Sequence, residues 1–217
     1  MTKKSKRPPR PAGSNPAGGA ALKKLANFFF EVGTLRKTAR SHRQGLLTDD
    51  LSDNISSHSY RVTVIGYFLA KLAKADVNKV VHICLFHDVS ESRSGDQNWI
   101  HKRYVKVFED EISHDQFDHL SFGKDILVLG REYQERKTLE AKLAKDADLL
   151  DQILLLKEYE HVGNQEAAEW LKNNAQIKLL QTTYAKKLAK KILAQPPLVL
   201  SNIFQYYPKA ISLSSQV

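Results

Sequence analysis

The sequence predicts a single all-α domain, a helical bundle, on the basis of three observations. From about Leu22 onward, apolar residues recur three and four positions apart, which is the spacing of one helix face. No stretch alternates apolar and polar residues in the manner of a strand, and no segment is repeated. With 217 residues, 42% of them hydrophobic, the chain is also long enough to bury one substantial core.

The first two predicted helices flank a basic connection. Gly33 is expected to interrupt or end the first helix, and residues 36–53 follow as an irregular segment that carries several arginines. This segment is a candidate rim for an anion site. Asp53 or Ser56 is expected to cap the second helix, which places His58 on the same face as the apolar residues of that helix.

The rest of the bundle is predicted from four further segments. They are a core helix at 76–91 that ends near Gly95, a helix plus a loop at 100–121, a long helix at 132–161 and a helix at 165–194. The pair Pro196-Pro197 is expected to stop the last helix, because proline lacks the backbone N–H that a helix needs.

The net charge of +9 belongs mostly to the N-terminal tail. Residues 1–24 hold seven basic residues and no acidic one, so the rest of the chain carries only +2. Their proline and glycine content favours a disordered basic tail over residues 1–21, followed by a folded domain at 22–210 and a frayed C-terminus at 211–217. We expect the tail to attract nucleic acid weakly at most, with a specific polyanion-binding arm as the less favoured alternative.

Cysteine content and hydropathy indicate an intracellular protein. The single cysteine, Cys84, excludes an internal disulfide and a cysteine-rich zinc site. The sequence has no run of about 18 apolar residues and no apolar N-terminal signal segment. We therefore expect a cytoplasmic protein that does not span a membrane.

Four residues from three separate stretches of the chain form a candidate metal site. His58, the adjacent pair His87-Asp88 and Asp148 offer two imidazole nitrogens and two carboxylates, which suit a catalytic divalent cation such as Mn²⁺, Co²⁺, Fe²⁺, Zn²⁺ or Ni²⁺. Taken singly, His58 is more simply explained as an ordinary helix histidine, and Asp148 as a solvated charge. Asp148 nevertheless lies in an apolar register of its helix, where an unpaired carboxylate is costly.

Two further acids follow the His-Asp pair. Glu91 is four residues after His87 and three after Asp88, which places it on the same side of a helix as that pair. Asp96 follows shortly afterwards. Carboxylates so close to a bound cation suit proton transfer and support of the metal ligands, and the cation would keep Glu91 ionised at neutral pH.

The order of these residues resembles that of the HD-domain family of metal-dependent phosphohydrolases. The stretch from His87-Asp88 through Glu91 to Gly95-Asp96 is similar to the His-Asp-x-x-Glu-x-x-x-Gly-Asp pattern of its 5′-deoxynucleotidase branch, which includes HD-domain-containing protein 2. Further similarity lies in residues 57–61, 142–148 and 158–160, and the resemblance covers about residues 25–195.

The resemblance implies a role for each of these residues, beginning with metal binding. One divalent metal is expected to be held by four residues, namely His58, His87, Asp88 and Asp148. Glu91 is expected to be the acid/base residue, and Asp96 to assist it by positioning substrate or water.

Substrate phosphate is expected to contact an arginine ahead of the first histidine. The resemblance points to Arg40, with Arg36 and Arg43 as alternatives because the alignment crosses a gap. Lys145 lies one helical turn before Asp148, so it adds a second positive charge to the site or is simply solvated.

The chain departs from the family pattern directly after this arginine. The nucleotidase branch has a tryptophan there, whereas Ser41-His42 follow Arg40 in this sequence. His42 is a candidate for stacking on the substrate, although an exposed loop histidine is the simpler interpretation.

The expected reaction is removal of the phosphate group from (deoxy)nucleoside 5′-monophosphates. A deoxynucleoside triphosphate triphosphohydrolase of the same fold is the first alternative, and a phosphodiesterase acting on cyclic dinucleotides or (p)ppGpp is a weaker one. A helical binding module with a structural metal is the non-catalytic alternative.

A homodimer is a further expectation, and it depends on aromatic residues in the C-terminal portion. These residues either form a self-association face or close the core, and the sequence does not decide between the two: Trp170, Tyr184, Phe204, Tyr206 and Tyr207.

Overall fold

The computed structural model describes residues 18–173 and 175–197, and within these ranges the protein is all-α, as predicted. The helices in chain order are α1 (Gly19–Val32), α2 (His42–Leu46), α3 (Ile55–Ala73), α4 (Val77–Phe86), α5 (Glu91–Ser94), α6 (His101–Tyr104), α7 (Glu109–Phe117), α8 (Gly123–Glu135), α9 (Leu139–His161), α10 (Gln165–Asn173), α11 (Ala175–Leu179) and α12 (Thr183–Leu193). A 3₁₀ turn, Gly33–Lys37, joins α1 to the connection before α2.

Helix α9 lies at the centre of the bundle. It packs against α3, α4, α8, α10, α11 and α12, and its buried residues form the main core together with those of α3 and α4. The largest fully buried side chains of this core are Val62, Leu69, Val80, Ile83, Leu143, Leu150 and Ile153. Helices α3 and α4 approach closely at Gly66, where a Cβ atom would lie 2.6 Å from the Cys84 Sγ.

Two smaller apolar clusters extend the core. One joins α1 to the segment after α4 and to α7, and in it the rings of Phe28 and Phe117 meet edge to face at 5.4 Å. The other consists of Leu46, Leu156 and Ala167, so it fastens α2 and α10 to the far end of α9. None of the helices in the described ranges is long and apolar enough to cross a membrane.

The start of α3 differs from the prediction. Neither Asp53 nor Ser56 is the cap; Asn54 is in an extended conformation, and its side-chain oxygen accepts the Ser57 N–H at 3.1 Å. Asn54 also forms an isolated antiparallel bridge with Ala39, which ties the basic connection to the start of this helix. This bridge keeps the residues just before α2 next to the first turn of α3.

Two predicted long helices are divided by local hydrogen bonding. The segment predicted as one helix at 132–161 belongs to α8 and α9, because Arg136 takes a left-handed conformation and the Thr138 side chain caps α9 by accepting the Ala141 N–H. The segment at 165–194 comprises α10, α11 and α12. Before α12, the carboxylate of Asp146 accepts two backbone N–H groups, which fixes the break.

The other predicted boundaries shift by smaller amounts. Helix α1 begins at Gly19, three residues before the predicted start. The predicted core helix at 76–91 ends at Phe86 and is followed by a turn and the short α5. The segment at 100–121 contains two short helices, α6 and α7, rather than one. The expectations for residues 1–17 and for 198–217, with Phe204, Tyr206 and Tyr207, lie outside the described residues.

Candidate active site

One large cavity, about 610 Å³ in volume, gathers most of the residues that the sequence singled out. Its lining includes Arg40, His87, Asp88, Glu91, Asp96, Lys145 and Asp148. These residues come from the connection before α2, from the segment between α4 and the loop after α5, and from α9. The side chain of His58, on α3, lies behind them and contacts Asp88 and Asp148.

The two histidines present free ring nitrogens to the same carboxylate. The Nε2 atoms of His58 and His87 lie 3.3 and 3.0 Å from the Asp88 Oδ2, and neither has a hydrogen-bond partner in the described part of the chain. Both Nδ1 atoms are engaged elsewhere: that of His58 with Asp151 at 2.6 Å, and that of His87 with the Cys84 carbonyl oxygen at 2.8 Å. Ligand atoms of His58, His87 and Asp88 all lie within 4.8 Å of one another.

This arrangement fits a divalent metal. A buried imidazole nitrogen without a partner is costly, and each ring is held through its other nitrogen so that Nε2 faces the shared space. His87 and Asp88 reach that space together because α4 ends at Phe86 and the chain turns there. These residues therefore form a candidate His/Asp metal site.

Asp148 lies next to this group with one oxygen free. Its Oδ1 is 3.5 Å from the His58 Nε2, whereas its Oδ2 accepts hydrogen bonds from the Lys145 Nζ at 2.6 Å and from the Tyr133 hydroxyl at 3.2 Å. Burial opposes ionisation of Asp148, but Lys145 and His58 hold its pKa well below the ordinary value. Asp148 is therefore a carboxylate, although it stands outside the tight group of three.

Sequence reasoning missed Asp151. Asp151 is buried on α9, pairs with the His58 Nδ1, and accepts the Arg61 Nε–H at 2.5 Å. Arg61 also donates to Glu158 at 2.6 Å. The signal was available, because His58 and Arg61 are three residues apart on one helix and Asp151 is three residues after Asp148 on another.

The carboxylates around His58 favour its protonated form. Burial and the Arg40 charge lower the pKa of His58, but the hydrogen bond with Asp151 and the nearby carboxylates of Asp88 and Asp148 outweigh them and raise it to about 9. Without a metal, His58 is therefore an imidazolium at neutral pH. A cation that binds its Nε2 must displace that proton.

Among the three candidate arginines, Arg40 is the one that lines the cavity. Its Nη1 lies 4.0 Å from the Asp88 Oδ2, and its Nε lies 3.6 Å from the Asp96 Oδ2. The same Asp96 oxygen accepts the backbone N–H of Ser41 at 2.7 Å. Arg36 is exposed, and Arg43 lines a different, open groove.

His42 is not the exposed loop histidine that we expected. It is half-buried at the start of α2, it lines the cavity, and its Nε2 accepts a hydrogen bond from the Arg40 Nη2 at 2.7 Å. Burial, followed by the charge of Arg40, lowers the pKa of His42 to about 4, so the ring is neutral. Its ring packs edge to face against Trp170 at 6.1 Å.

That a bound cation keeps Glu91 ionised stays a prediction, whereas the surrounding side chains alone favour its protonated form. Burial is the main cause that raises its pKa to about 10, and the nearby charges of Asp88 and Asp96 add to the effect. Without a cation, Glu91 therefore carries a proton at neutral pH. Its Oε2 is buried and has no hydrogen-bond partner in the parts of the chain that the structure describes.

Comparisons with known proteins agree with this architecture. A family model described as an HD domain matches residues 32–192. The chain is 30% identical over 158 residues to the 5′-deoxynucleotidase HDDC2 of Dictyostelium discoideum. The matched region covers 65% of this chain and 82% of that protein.

Solved structures share the fold. A conserved hypothetical protein of Pyrococcus furiosus superimposes with a TM-score of 0.66 at 22% identity, covering 78% of this chain and 99% of the other. A predicted metal-dependent phosphohydrolase of Magnetospirillum magnetotacticum MS-1 gives a TM-score of 0.59 at 19% identity, with 80% and 91% covered. Because the family model spans most of the chain and the His-Asp residues meet in its cavity, the protein belongs to the HD-domain family of metal-dependent phosphohydrolases.

Proposed function

We propose that this protein removes the phosphate group from (deoxy)nucleoside 5′-monophosphates, using one divalent metal held by His58, His87, Asp88 and Asp148. The observation that carries the proposal is a pair of buried Nε2 atoms beside Asp88 that have no hydrogen-bond partner among the described residues, next to a cavity that Arg40 lines. The 30% identity to a 5′-deoxynucleotidase supports the choice of substrate.

The charge balance of the cavity favours a monophosphate over a triphosphate. Both cations beside the metal site are already compensated, since Arg40 lies between Asp88 and Asp96, and Lys145 pairs with Asp148. A triphosphate needs more uncompensated positive charge than these two residues offer. Two other cations, Lys102 and Arg136, also line the cavity. Because they add positive charge, a triphosphohydrolase is kept as the alternative.

In this reaction the bound metal would polarise the phosphoryl group and lower the pKa of a water molecule. Arg40 donates its guanidinium N–H groups to the phosphate oxygens that are not transferred. Asp96 and His42 hold this guanidinium from two sides. Glu91 accepts a proton from the attacking water and returns it to the oxygen of the leaving nucleoside.

Product analysis tests the proposal. Metal-stripped protein, with and without added Mn²⁺ or Co²⁺, is incubated with nucleoside mono- and triphosphates. We expect metal-dependent release of inorganic phosphate from the monophosphates. Release of triphosphate from a deoxynucleoside triphosphate would establish the alternative, and absence of any product with every metal would refute hydrolysis of nucleotides.

Replacing Glu91 tests its role as the acid. Glu91→Gln should lower kcat by about 10²- to 10⁴-fold, because the amide cannot protonate the leaving oxygen, while metal binding is retained. Glu109→Gln is the matched control, since Glu109 lines the same cavity but accepts a hydrogen bond from Gln134 instead. Loss of metal from the Glu91 variant would make Glu91 a ligand instead.

Cytoplasmic location and a homodimer remain proposals alongside this function. The buried free thiol of Cys84 is compatible with a reducing compartment. The outer face of α3 exposes apolar side chains at helical spacing, Tyr60, Val64, Phe68 and Leu72, which supports self-association. Sedimentation at micromolar concentration decides this point, and a monomer there would contradict the dimer.

A further inference from the structure

Part of the lining of the cavity is aromatic, and we call it the aromatic wall. Both tryptophans of the chain, Trp99 and Trp170, line the cavity. Trp99 is 68% exposed at the surface, whereas Trp170 is partly buried on α10 and packs against the small cluster that joins α2 to α9. Of the two indoles, that of Trp170 is therefore the one fixed by packing.

The position of Trp170 depends on α2. Gly45 leaves room for the indole, because a Cβ atom at this position would lie 3.2 Å from the Trp170 Cζ2. One turn earlier on the same helix, His42 packs edge to face against the indole. Helix α2 thus presents a gap and an aromatic ring that together hold Trp170 at the edge of the cavity.

Three side chains follow one another from the phosphate end to this wall. The Arg40 guanidinium donates to His42, and His42 in turn contacts Trp170. When the phosphate of a nucleotide contacts Arg40, the indole of Trp170 therefore lies one side chain away, on the other side of His42. Gln152 and Gln176 line the same cavity, and their amides offer both donors and acceptors to a polar ring.

We propose that Trp170, held by Gly45 and His42, is the stacking surface for the nucleobase of the substrate. This inference rests on the proposed function and deepens it, because it makes a nucleoside monophosphate a better substrate than a sugar phosphate without a base. Stacking on an aromatic ring changes affinity by about 5- to 150-fold per base and tolerates every base.

Kinetics with two substrates test the proposal. A deoxynucleoside 5′-monophosphate and 2-deoxyribose 5-phosphate share the phosphate ester and differ in the base. Trp170→Leu should raise KM for the nucleotide by about 5- to 150-fold, while KM for the sugar phosphate and kcat for both stay near wild type. Trp170→Phe, which keeps a ring, should recover most of the affinity, and Gly45→Ala should fall between them because its methyl group displaces the indole.

Fluorescence separates failure of this inference from failure of the proposed function. In a Trp99→Phe background Trp170 is the single tryptophan, and its emission should be quenched by nucleoside monophosphate but not by inorganic phosphate or the sugar phosphate. Quenching without turnover would refute the hydrolytic proposal and keep the base site. Equal losses for both substrates in Trp170→Leu, or no selective quenching, would overturn the base site and make Trp170 a packing residue only.

Discussion

Asp151 should control how the metal site responds to pH, although it is not among the proposed ligands. Asp151 is buried, and its Oδ2 lies 2.6 Å from the Nδ1 of His58. A carboxylate in this position has two opposing effects on a metal at Nε2: it makes the imidazole a stronger ligand, and it also stabilises the competing proton. The substitution Asp151→Asn removes the charge and keeps the shape.

The magnitudes follow from the pKa of His58. With a pKa of about 9, His58 must release a proton to bind metal at pH 7, a penalty of about 2 pH units, or about 2.7 kcal/mol. The wild-type affinity should therefore rise about tenfold per pH unit from 7 to 9 and then level off. In Asp151→Asn the pKa of His58 falls, so this slope should flatten. Above pH 9, where no proton competes, the variant should bind metal about 10- to 100-fold more weakly.

Free Mn²⁺, measured by electron paramagnetic resonance under argon between pH 7 and 9.5, gives the affinity without requiring turnover. Glu158→Gln is the control: Glu158 is the other carboxylate that pairs with Arg61, it is half exposed, and its loss should leave both affinity and slope unchanged. The reasoning would be refuted by a wild-type affinity that is flat between pH 7 and 9. A variant with the full wild-type slope would refute it equally.

Three further substitutions test neighbouring parts of the protein. Asp146→Asn should weaken two charge-assisted hydrogen bonds to the N–H groups of Gln181 and Thr182, destabilising the protein by about 2–3 kcal/mol and lowering Tm by about 5–10 °C without loss of metal. Asp148→Asn should have the opposite pattern: metal analysis should show loss of metal, and calorimetry should show little change in Tm. The assignment would be contradicted if Asp146→Asn lost metal and Asp148→Asn lost stability instead. His42 has its pKa lowered to about 4, so the stability due to its neutral form is complete above pH 6.5 and is lost as the pH falls from 6.5 to 4. His42→Gln should lose up to about 3 kcal/mol less than wild type over that range in urea denaturation, and an identical loss would exclude His42 as the cause.

The helical class and the order of the His-Asp residues could be predicted from the sequence because both are local patterns. Helical spacing is visible within a single segment, and the pair His87-Asp88 stands out against the apolar run before it. The four residues proposed as ligands lie in three separate segments of the chain, and α3, α4 and α9 bring these segments together by packing on one another. The resemblance to the HD-domain family, now confirmed, predicted which residues would come together, and helical periodicity alone could not predict that.

Helix breaks were predicted poorly because they depend on single hydrogen bonds. Neither glycine nor proline marks the break between α8 and α9; a capping threonine, Thr138, and one left-handed residue, Arg136, produce it. The break before α12 depends on Asp146, which is more than thirty residues earlier. A pattern read along the sequence does not contain that contact, so the apolar spacing continued through both breaks.

The environment of His42 was predicted wrongly, and the role of Trp170 was left undecided, for a related reason. The sequence places a histidine in a basic connection and a tryptophan far away on another helix, and nothing local joins them. The contact arises because α2 and α10 both pack on the end of α9 through Leu46, Leu156 and Ala167. The aromatic wall of the cavity is thus a consequence of tertiary packing.

The three aspartates of α9 show how far geometry can go before the fold is known. At 100° per residue, Asp146 and Asp148 point about 160° apart, whereas Asp148 and Asp151 point about 60° apart. One helix therefore cannot direct all three carboxylates into one site: Asp148 and Asp151 share a face, and Asp146 needs other partners. The structure matches this geometry, with Asp148 and Asp151 on either side of His58 and Asp146 bound to the start of α12. The angle around the helix thus separates Asp146, which has a structural role, from Asp148 and Asp151. Only the contact with His58 on the opposing helix α3 shows that Asp151 acts on the metal site through a histidine.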